Sequence, residues 1–372
     1  MQFIDLGAQR ARIEEKINAA IARVVASGQY VLGPQVTEFE ERLADYLGVK
    51  HVVACANGTD ALMMPLMAKN IGPGDAVFCP SFTFSATAEV VALVGAKPVF
   101  VDVLPDTFNI DVNKLGEAIK MIKKEGQFKP KAIISVDLFG LPADYTKISA
   151  IAERENLFVI EDTAQAIGGK VGNVMCGAFG DVAATSFYPA KPLGCYGDGG
   201  AMMTNDDGLA ALLRSILFHG KGKTQYDNVR IGLNSRLDTI QAAILLEKLV
   251  IIEDEMEKRV AIAQRYSNGL KDIVTVPEVG RDIRCAYAQY TIKVKNRDQL
   301  KMYLQKNSIP TMVYYNTPLH LQPAYKHFPY VKNSLSVSES LADCVLSLPM
   351  HPYLSQSDQD VIIQHIRNFY HS

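Results

Sequence analysis

Two side chains at the ends of neighbouring apolar runs carry the most chemistry in this sequence. Lys191 lies in a Pro- and Gly-flanked stretch, Ser186-Phe187-Tyr188-Pro189-Ala190-Lys191-Pro192-Leu193-Gly194, that succeeds the run VAATSF. Asp162 closes the run LFVIED and stands in Glu161-Asp162-Thr163-Ala164-Gln165-Ala166. A lysine amine forms an imine with an aldehyde and afterwards carries protons, if it is desolvated enough for its neutral form to be accessible. A carboxylate beside it pairs with a protonated ring nitrogen and keeps a heteroaromatic ring an electron sink. Those are the two requirements of a pyridoxal 5'-phosphate site. Asn57-Gly58-Thr59-Asp60-Ala61-Leu62, after the strand HVVAC, adds a third element. Backbone N–H groups at a helix start, a glycine that permits close approach and a threonine hydroxyl make a cradle for a phosphate dianion. Each feature also has a plainer reading: Asp162 and Asn57 as helix N-caps, Lys191 as a solvated loop lysine.

The elements that must position these residues are set by hydrophobic patterning. Short β-rich runs alternate with helical patterns from about residue 14 to 250: HVVAC (51–55), AVFCP (76–80), KPVFVDV (97–103), KAIISVDLF (131–139), LFVIED (157–162), VAATSF (182–187) and GAMMTN (200–205). Near-continuous apolar strands separated by helices predict an α/β fold, a mostly parallel central sheet flanked by helices. In such sheets ligands collect at the carboxyl ends of the strands, where Asp162, Lys191 and Asn57 fall. Helical spacing from Leu237 to about Leu270 predicts one long or broken helix linking two domains. Beyond it AYAQYTIKV, QLKMYLQKN, TMVYY and a final helix near 356–369 predict a smaller C-terminal α+β domain. The division is a large domain over 1–250 and a small one over 251–372.

Composition narrows the function classes. Of 372 residues 48% are hydrophobic and 21% charged, enough apolar material for a substantial core. Lys plus Arg (38) nearly balances Asp plus Glu (40), so no global field draws the chain to nucleic acid. Six scattered cysteines make no CxxC pair, no disulfide framework and no zinc pattern, and no metal site is expected. The N-terminus lacks the apolar core of a secretory signal and no run is long enough for a membrane span, so the expected location is the cytoplasm. No GxGxxG comes after the first strand, which disfavours a nicotinamide oxidoreductase.

Taken together, ANGTDAL (56–62), PSFTFSATAE (80–89), EDTAQAIGG (161–169), SFYPAKPLGCYGDGGA (186–201) and GLNSRLDTIQAAIL (232–245) resemble the DegT/DnrJ/EryC1/StrS family of sugar aminotransferases, from Phe3 to the C-terminus. The resemblance implies the fold-type I aminotransferase architecture with pyridoxal 5'-phosphate as cofactor. It implies Lys191 as the Schiff-base lysine, Asp162 at the pyridine nitrogen and Gln165 near the ring hydroxyl. Phe84 is implied to stack on the ring, the alternative being a core phenylalanine. Gly58, Thr59 and Ser186 are implied to hold the phosphate, with Asn234 reaching the phosphate of a neighbouring subunit in a homodimer. Members with histidine at the lysine position are dehydratases, so lysine here favours transamination. The implied donor is glutamate and the implied acceptor a nucleotide-linked keto-sugar.

The motifs look most like members acting on UDP-linked 3-keto sugars derived from N-acetylglucosamine or its uronic acid, for bacterial surface polysaccharide or lipid A. C4 amination of a 4-keto-6-deoxy sugar is the alternative. Arg236 is expected at a diphosphate or uronate, or in an interface salt bridge. Tyr314 and Tyr315 stand where the family often has a His-Tyr pair, on the substrate side. His320 is expected at the rim or as a satisfied structural histidine. Gln29 and Tyr30 are candidate acceptor contacts, with packing as the alternative. Asp137 stands where many relatives have histidine, and carries no substrate assignment.

Overall fold

The computed structural model describes residues 1–224 and 226–371. All seven expected runs form strands, and all seven join one sheet: β1 (His51–Cys55), β2 (Asp75–Pro80), β3 (Lys97–Val101), β4 (Lys129–Val136), β5 (Phe158–Asp162), β8 (Val182–Ser186) and β9 (Gly200–Thr204). Two short strands, β6 (Lys170–Val171) and β7 (Val174–Met175), lie between β5 and β8 in sequence and pair outside this sheet with β10 (Ile283–Arg284). The main sheet has the order β1-β9-β8-β5-β4-β2-β3. Its pairings from β8 through β5, β4 and β2 to β3 are parallel, while β9 runs antiparallel to both β8 and β1.

Alternation along the strands sends residues to two faces, each covered by helices. On one face Val53, Val77, Ile134, Ile160, Ala184 and Met202 pack against α3 (Gly58–Ala68), α4 (Ala86–Leu93) and α7 (Asp207–Ile216). On the other, Ala54, Ala183 and Met203 meet α2 (Pro34–Leu47) and α8 (Thr239–Leu249), and Ile133 and Val159 meet α5 (Val112–Glu125) and α6 (Tyr145–Glu155). The N-terminal α1 (Leu6–Ser27) lays Ile13, Ile17, Ala20 and Val24 against α8.

The expected linking helix is broken: α8 stops at Leu249 and α9 (Ile252–Leu270) starts after Val250 and Ile251. From α9 onward a second core gathers Tyr266, Leu270, Tyr290, Ile292, Leu346, Leu348 and Ile362. It includes α10 (Arg297–Lys306), α12 (Gln356–His371) and a two-stranded antiparallel sheet of β11 (Tyr290–Lys293) and β12 (Val345–Leu348). TMVYY forms no strand there; Met312 makes one isolated bridge to Ser347. Leu341 and Ala342, on α11 (Ser336–Cys344), with Val345 pack on Phe82, Phe108 and Phe139, so the two cores are joined by aromatic contact just beyond the strand ends. Among the described residues no helix is long and apolar enough to cross a membrane. All six cysteines are free thiols.

Candidate active site

Because β1, β2, β5 and β8 point the same way, the residues at their carboxyl ends gather at one edge of the sheet. Asp162 ends β5, and the loop between β8 and β9 carries Lys191. Asp162 is not an N-cap, since no helix begins there; one carboxylate oxygen accepts from the N–H of Ala164 (3.2 Å) and the other from the Thr87 hydroxyl at 3.5 Å. That second contact is long, leaving the oxygen with spare acceptor capacity. Burial raises the Asp162 carboxyl above its usual range, while the Ala164 N–H, Lys191 and Thr87 pull it back down. Nor is Lys191 a solvated loop lysine. The protein around it strips enough water from the ammonium to lower its pKa, and the charge of Asp162 opposes the shift. A partly buried lysine with a lowered pKa thus shares a site with a buried carboxylate.

Asn57 does cap α3, its side chain accepting from the Asp60 N–H at 2.8 Å, so the plainer reading of that residue holds. The cap leaves the N–H groups of Gly58 and Thr59 without a partner among the described residues, as the first turn of a helix must. A Cβ on Gly58 would lie 2.6 Å from the Cβ of Ser186, and one on Gly200 would lie 2.4 Å from the Asn57 carbonyl oxygen. Glycine at both places lets the start of α3 press against the β8–β9 hairpin, bringing Gly58, Thr59 and Ser186 together. Free N–H donors, hydroxyls and a helix N-terminus fit the phosphate of pyridoxal phosphate. Asp162 and Lys191 fit its ring nitrogen and aldehyde.

Gln165 is buried and committed: its carbonyl oxygen accepts from the Phe139 N–H (2.7 Å) and its amide donates to the Tyr315 hydroxyl (3.4 Å). Tyr315 is half-buried, 6.5 Å from Phe84 and 6.0 Å from Tyr314 between ring centroids, so these three aromatics form one cluster. The core reading of Phe84 fails, since the ring is 56% exposed. Asn234 is also exposed. Arg236 stacks its guanidinium 5.0 Å above Phe218 and makes no ion pair among the described residues. Tyr30 is half exposed and gives its backbone carbonyl to Thr239.

Of the two readings of His320, the substrate-side one is corrected. His320 is buried, with Nδ1 2.7 Å from the Ser81 hydroxyl and Nε2 3.1 Å from Glu339. Both ring nitrogens are engaged, so the structural reading holds and no nitrogen remains for a sugar.

Sequence reasoning missed the roles of three residues. Thr87, from α4, reaches Asp162 across 75 positions. Asp137 lies beneath the site, its N–H donating to the Asp162 carbonyl and its Oδ1 accepting from the Ala143 N–H and the Tyr145 hydroxyl. Its Oδ2 is buried without a partner, in a cluster with Glu161 and Cys176. Burial pushes Asp137 up to about 7 and Glu161 well above the carboxylate range. The third is Lys248, buried in α8. An ionisable residue at a position whose spacing demands an apolar one is the signal that could have found it.

The sequence profile of the DegT/DnrJ/EryC1/StrS aminotransferase family matches residues 11–367. The chain is 47% identical to the UDP-2-acetamido-2-deoxy-3-oxo-D-glucuronate aminotransferase of Pseudomonas aeruginosa, over 99% of this chain and 100% of that one. It is 39% identical to the UDP-N-acetyl-3-dehydro-alpha-D-glucosamine 3-aminotransferase of Acidithiobacillus ferrooxidans, covering 99% and 98%. A crystal structure of a DegT DnrJ EryC1 StrS aminotransferase from Brucella abortus superposes with a TM-score of 0.98 at 69% identity, over 99% of both chains.

Proposed function

The chain belongs to the DegT/DnrJ/EryC1/StrS aminotransferase family and is a pyridoxal-phosphate-dependent nucleotide-sugar aminotransferase; from that premise we propose that it moves an amino group from glutamate to C3 of a UDP-linked 3-keto hexose derived from N-acetylglucosamine. The observation that carries the reading is the desolvated Lys191 sharing a buried site with Asp162. End-to-end similarity to two aminotransferases named for 3-oxo sugars supports C3 over C4.

The bound cofactor supplies an aldehyde for the amine and a ring that withdraws electrons from the carbon losing its proton. Lys191, in its neutral form, takes that proton on Nζ and returns it to the neighbouring carbon, because burial has made deprotonation accessible below the usual lysine range. Asp162 holds a proton on the ring nitrogen by ion pairing, and its burial strengthens that attraction. Gly58, Thr59 and Ser186 would anchor the phosphate, Gln165 would serve the ring hydroxyl, and Phe84, which lies against Tyr315, would supply an aromatic face for the ring. Tyr314 and Tyr315, from the part of the chain beyond residue 250, meet the sugar. The exposure of Asn234 and the unpaired guanidinium of Arg236 support a homodimer in which each subunit lends these residues to the other's site, Asn234 to the phosphate and Arg236 to the acceptor's diphosphate or uronate.

The test is an absorbance spectrum of the purified protein with pyridoxal phosphate, tracked through glutamate and then a UDP-linked 3-keto-N-acetylglucosamine. The visible band is expected to bleach with glutamate and return with the 3-keto sugar. Return only with a 4-keto sugar would sink the C3 assignment; absence of any band would sink the site.

A further inference from the structure

Lys248 takes no part in the proton transfers assigned to Lys191, yet it is 2% exposed and sits against the loop that carries Lys191. Its ammonium donates to the Gly194 carbonyl at 2.6 Å and lies 4.4 Å from the centre of the Tyr196 ring. Burial pushes this ammonium down to about 8, against the charges of Glu255 on α9 and the neighbouring Cys195. Methionine would fill the same space with no charge to desolvate, so packing alone does not explain a lysine here.

The loop itself is built to hold one shape. Its ends are pinned where Ser186 pairs with Gly200 across the β8–β9 ladder. Inside it the Lys191 N–H donates to the Tyr188 carbonyl and the Cys195 N–H to the Phe187 carbonyl. Gly194 runs so close to the preceding turn that a Cβ there would lie 2.6 Å from the Pro189 carbonyl oxygen. Gln241, two turns before Lys248 on α8, accepts from the Tyr196 N–H at 2.8 Å and donates back to the Tyr196 carbonyl at 3.3 Å. Gly194 is only three residues from Lys191, and the contact that ties its carbonyl to a helix is Lys248.

We propose that Lys248 is a positioning residue for Lys191: gripping the Gly194 carbonyl and the Tyr196 ring from α8, it fixes the loop that presents the reacting amine to the buried carboxylate. This rests on the reading of Lys191 as the cofactor lysine. Lys248→Met removes the donor and keeps the bulk; Lys248→Gln keeps an N–H for Gly194. Three quantities distinguish positioning from mere stability: amide hydrogen exchange over residues 187–196 without cofactor, the midpoint pH of the visible band with pyridoxal phosphate bound, and kcat against KM. The Met variant is expected to exchange faster in 187–196 but not in β4 or β5. Its band midpoint should move by about half a pH unit or more, and its kcat should fall about tenfold with KM within about twofold. The Gln variant should regain part of the lost kcat. Unchanged local exchange and an unchanged midpoint in the Met variant, even with a lower melting temperature, would overturn the proposal, and if that variant does not fold the Gln variant is read against wild type by the same criteria. Lys191→Ala separates the two readings. If it keeps the visible band, the site assignment itself is wrong; if it loses the band while Lys248→Met changes nothing, only the role of Lys248 is.

Discussion

Asp162 and Phe84 both lie just at or past the ends of strands of one sheet, yet the carboxylate is sealed in while the aromatic ring is 56% exposed. The contrast extends beyond the two residues. Around Asp162 lie Thr87, Gln165 and the Asp137–Glu161 pair, all buried and nearly all hydrogen-bonded. Phe84 lies against Tyr315, which lies against Tyr314, and Tyr188, on the loop that carries Lys191, is 53% exposed. The floor around Asp162 therefore comes from one chain and is held by hydrogen bonds, whereas the rim at Phe84 presents apolar surface of the kind that marks an interaction site. Chemistry common to both half-reactions belongs on the floor; recognition of a large acceptor belongs at the rim.

Substitutions test that division in order of expected effect. Lys191→Ala should reduce both half-reactions by about 10³-fold or more, measured by single-turnover absorbance changes with glutamate and with the keto-sugar. Asp162→Asn should cost roughly 10²-fold in kcat for both half-reactions while the protein still folds, because it deletes one preorganised charge. If either variant impaired only the sugar half-reaction, the floor would not be common to both. At the residues proposed to enter the partner's site, Asn234→Ala and Arg236→Ala should act mainly on cofactor retention and acceptor KM, by about tenfold each. Mixing Lys191→Ala subunits with Asn234→Ala subunits should give hybrid dimers with one intact site and activity above the average of the two parents; no gain after subunit exchange would place each site within a single chain.

The smallest expected effect lies under the floor. Burial pushes the Asp137 carboxyl up to about 7 from an ordinary 3.8, with Glu161 raised beside it, so in the folded state this pair holds a proton that the unfolded state has released between those values. Stability from this group is therefore full below the unfolded pKa and lost as pH rises through about 7. Asp137→Asn cannot ionise, and its melting temperature relative to wild type should rise by a few degrees between about pH 5 and pH 8. A difference that stays flat with pH would mean that the proton is not held there.

How far these residues could be read in advance depended on the range of the interactions that place them. The seven strands were legible because each is a continuous apolar run bounded by polar residues, and burial on both faces leaves little ambiguity about such a run. Lys191 and Asp162 were legible because both come at or after the ends of strands whose carboxyl ends must share an edge. Thr87 was not, since nothing local to α4 announces a carboxylate delivered by β5. The two readings of His320 could not be separated because its partners, Ser81 and Glu339, are 239 and 19 positions away. TMVYY had the residue types of a strand but found one isolated bridge instead of a ladder, showing how far strand propensity yields to context.

The antiparallel pairing of β9 with β8 bears on which genetic changes this enzyme can survive. Ser186 faces Gly200 across the ladder, and both press on the start of α3. A strand has a side-chain period of two, so a codon gained or lost within either strand would exchange its inner and outer faces and turn Ser186 away from Gly58. The two strands can therefore drift by point substitution but hardly by insertion or deletion.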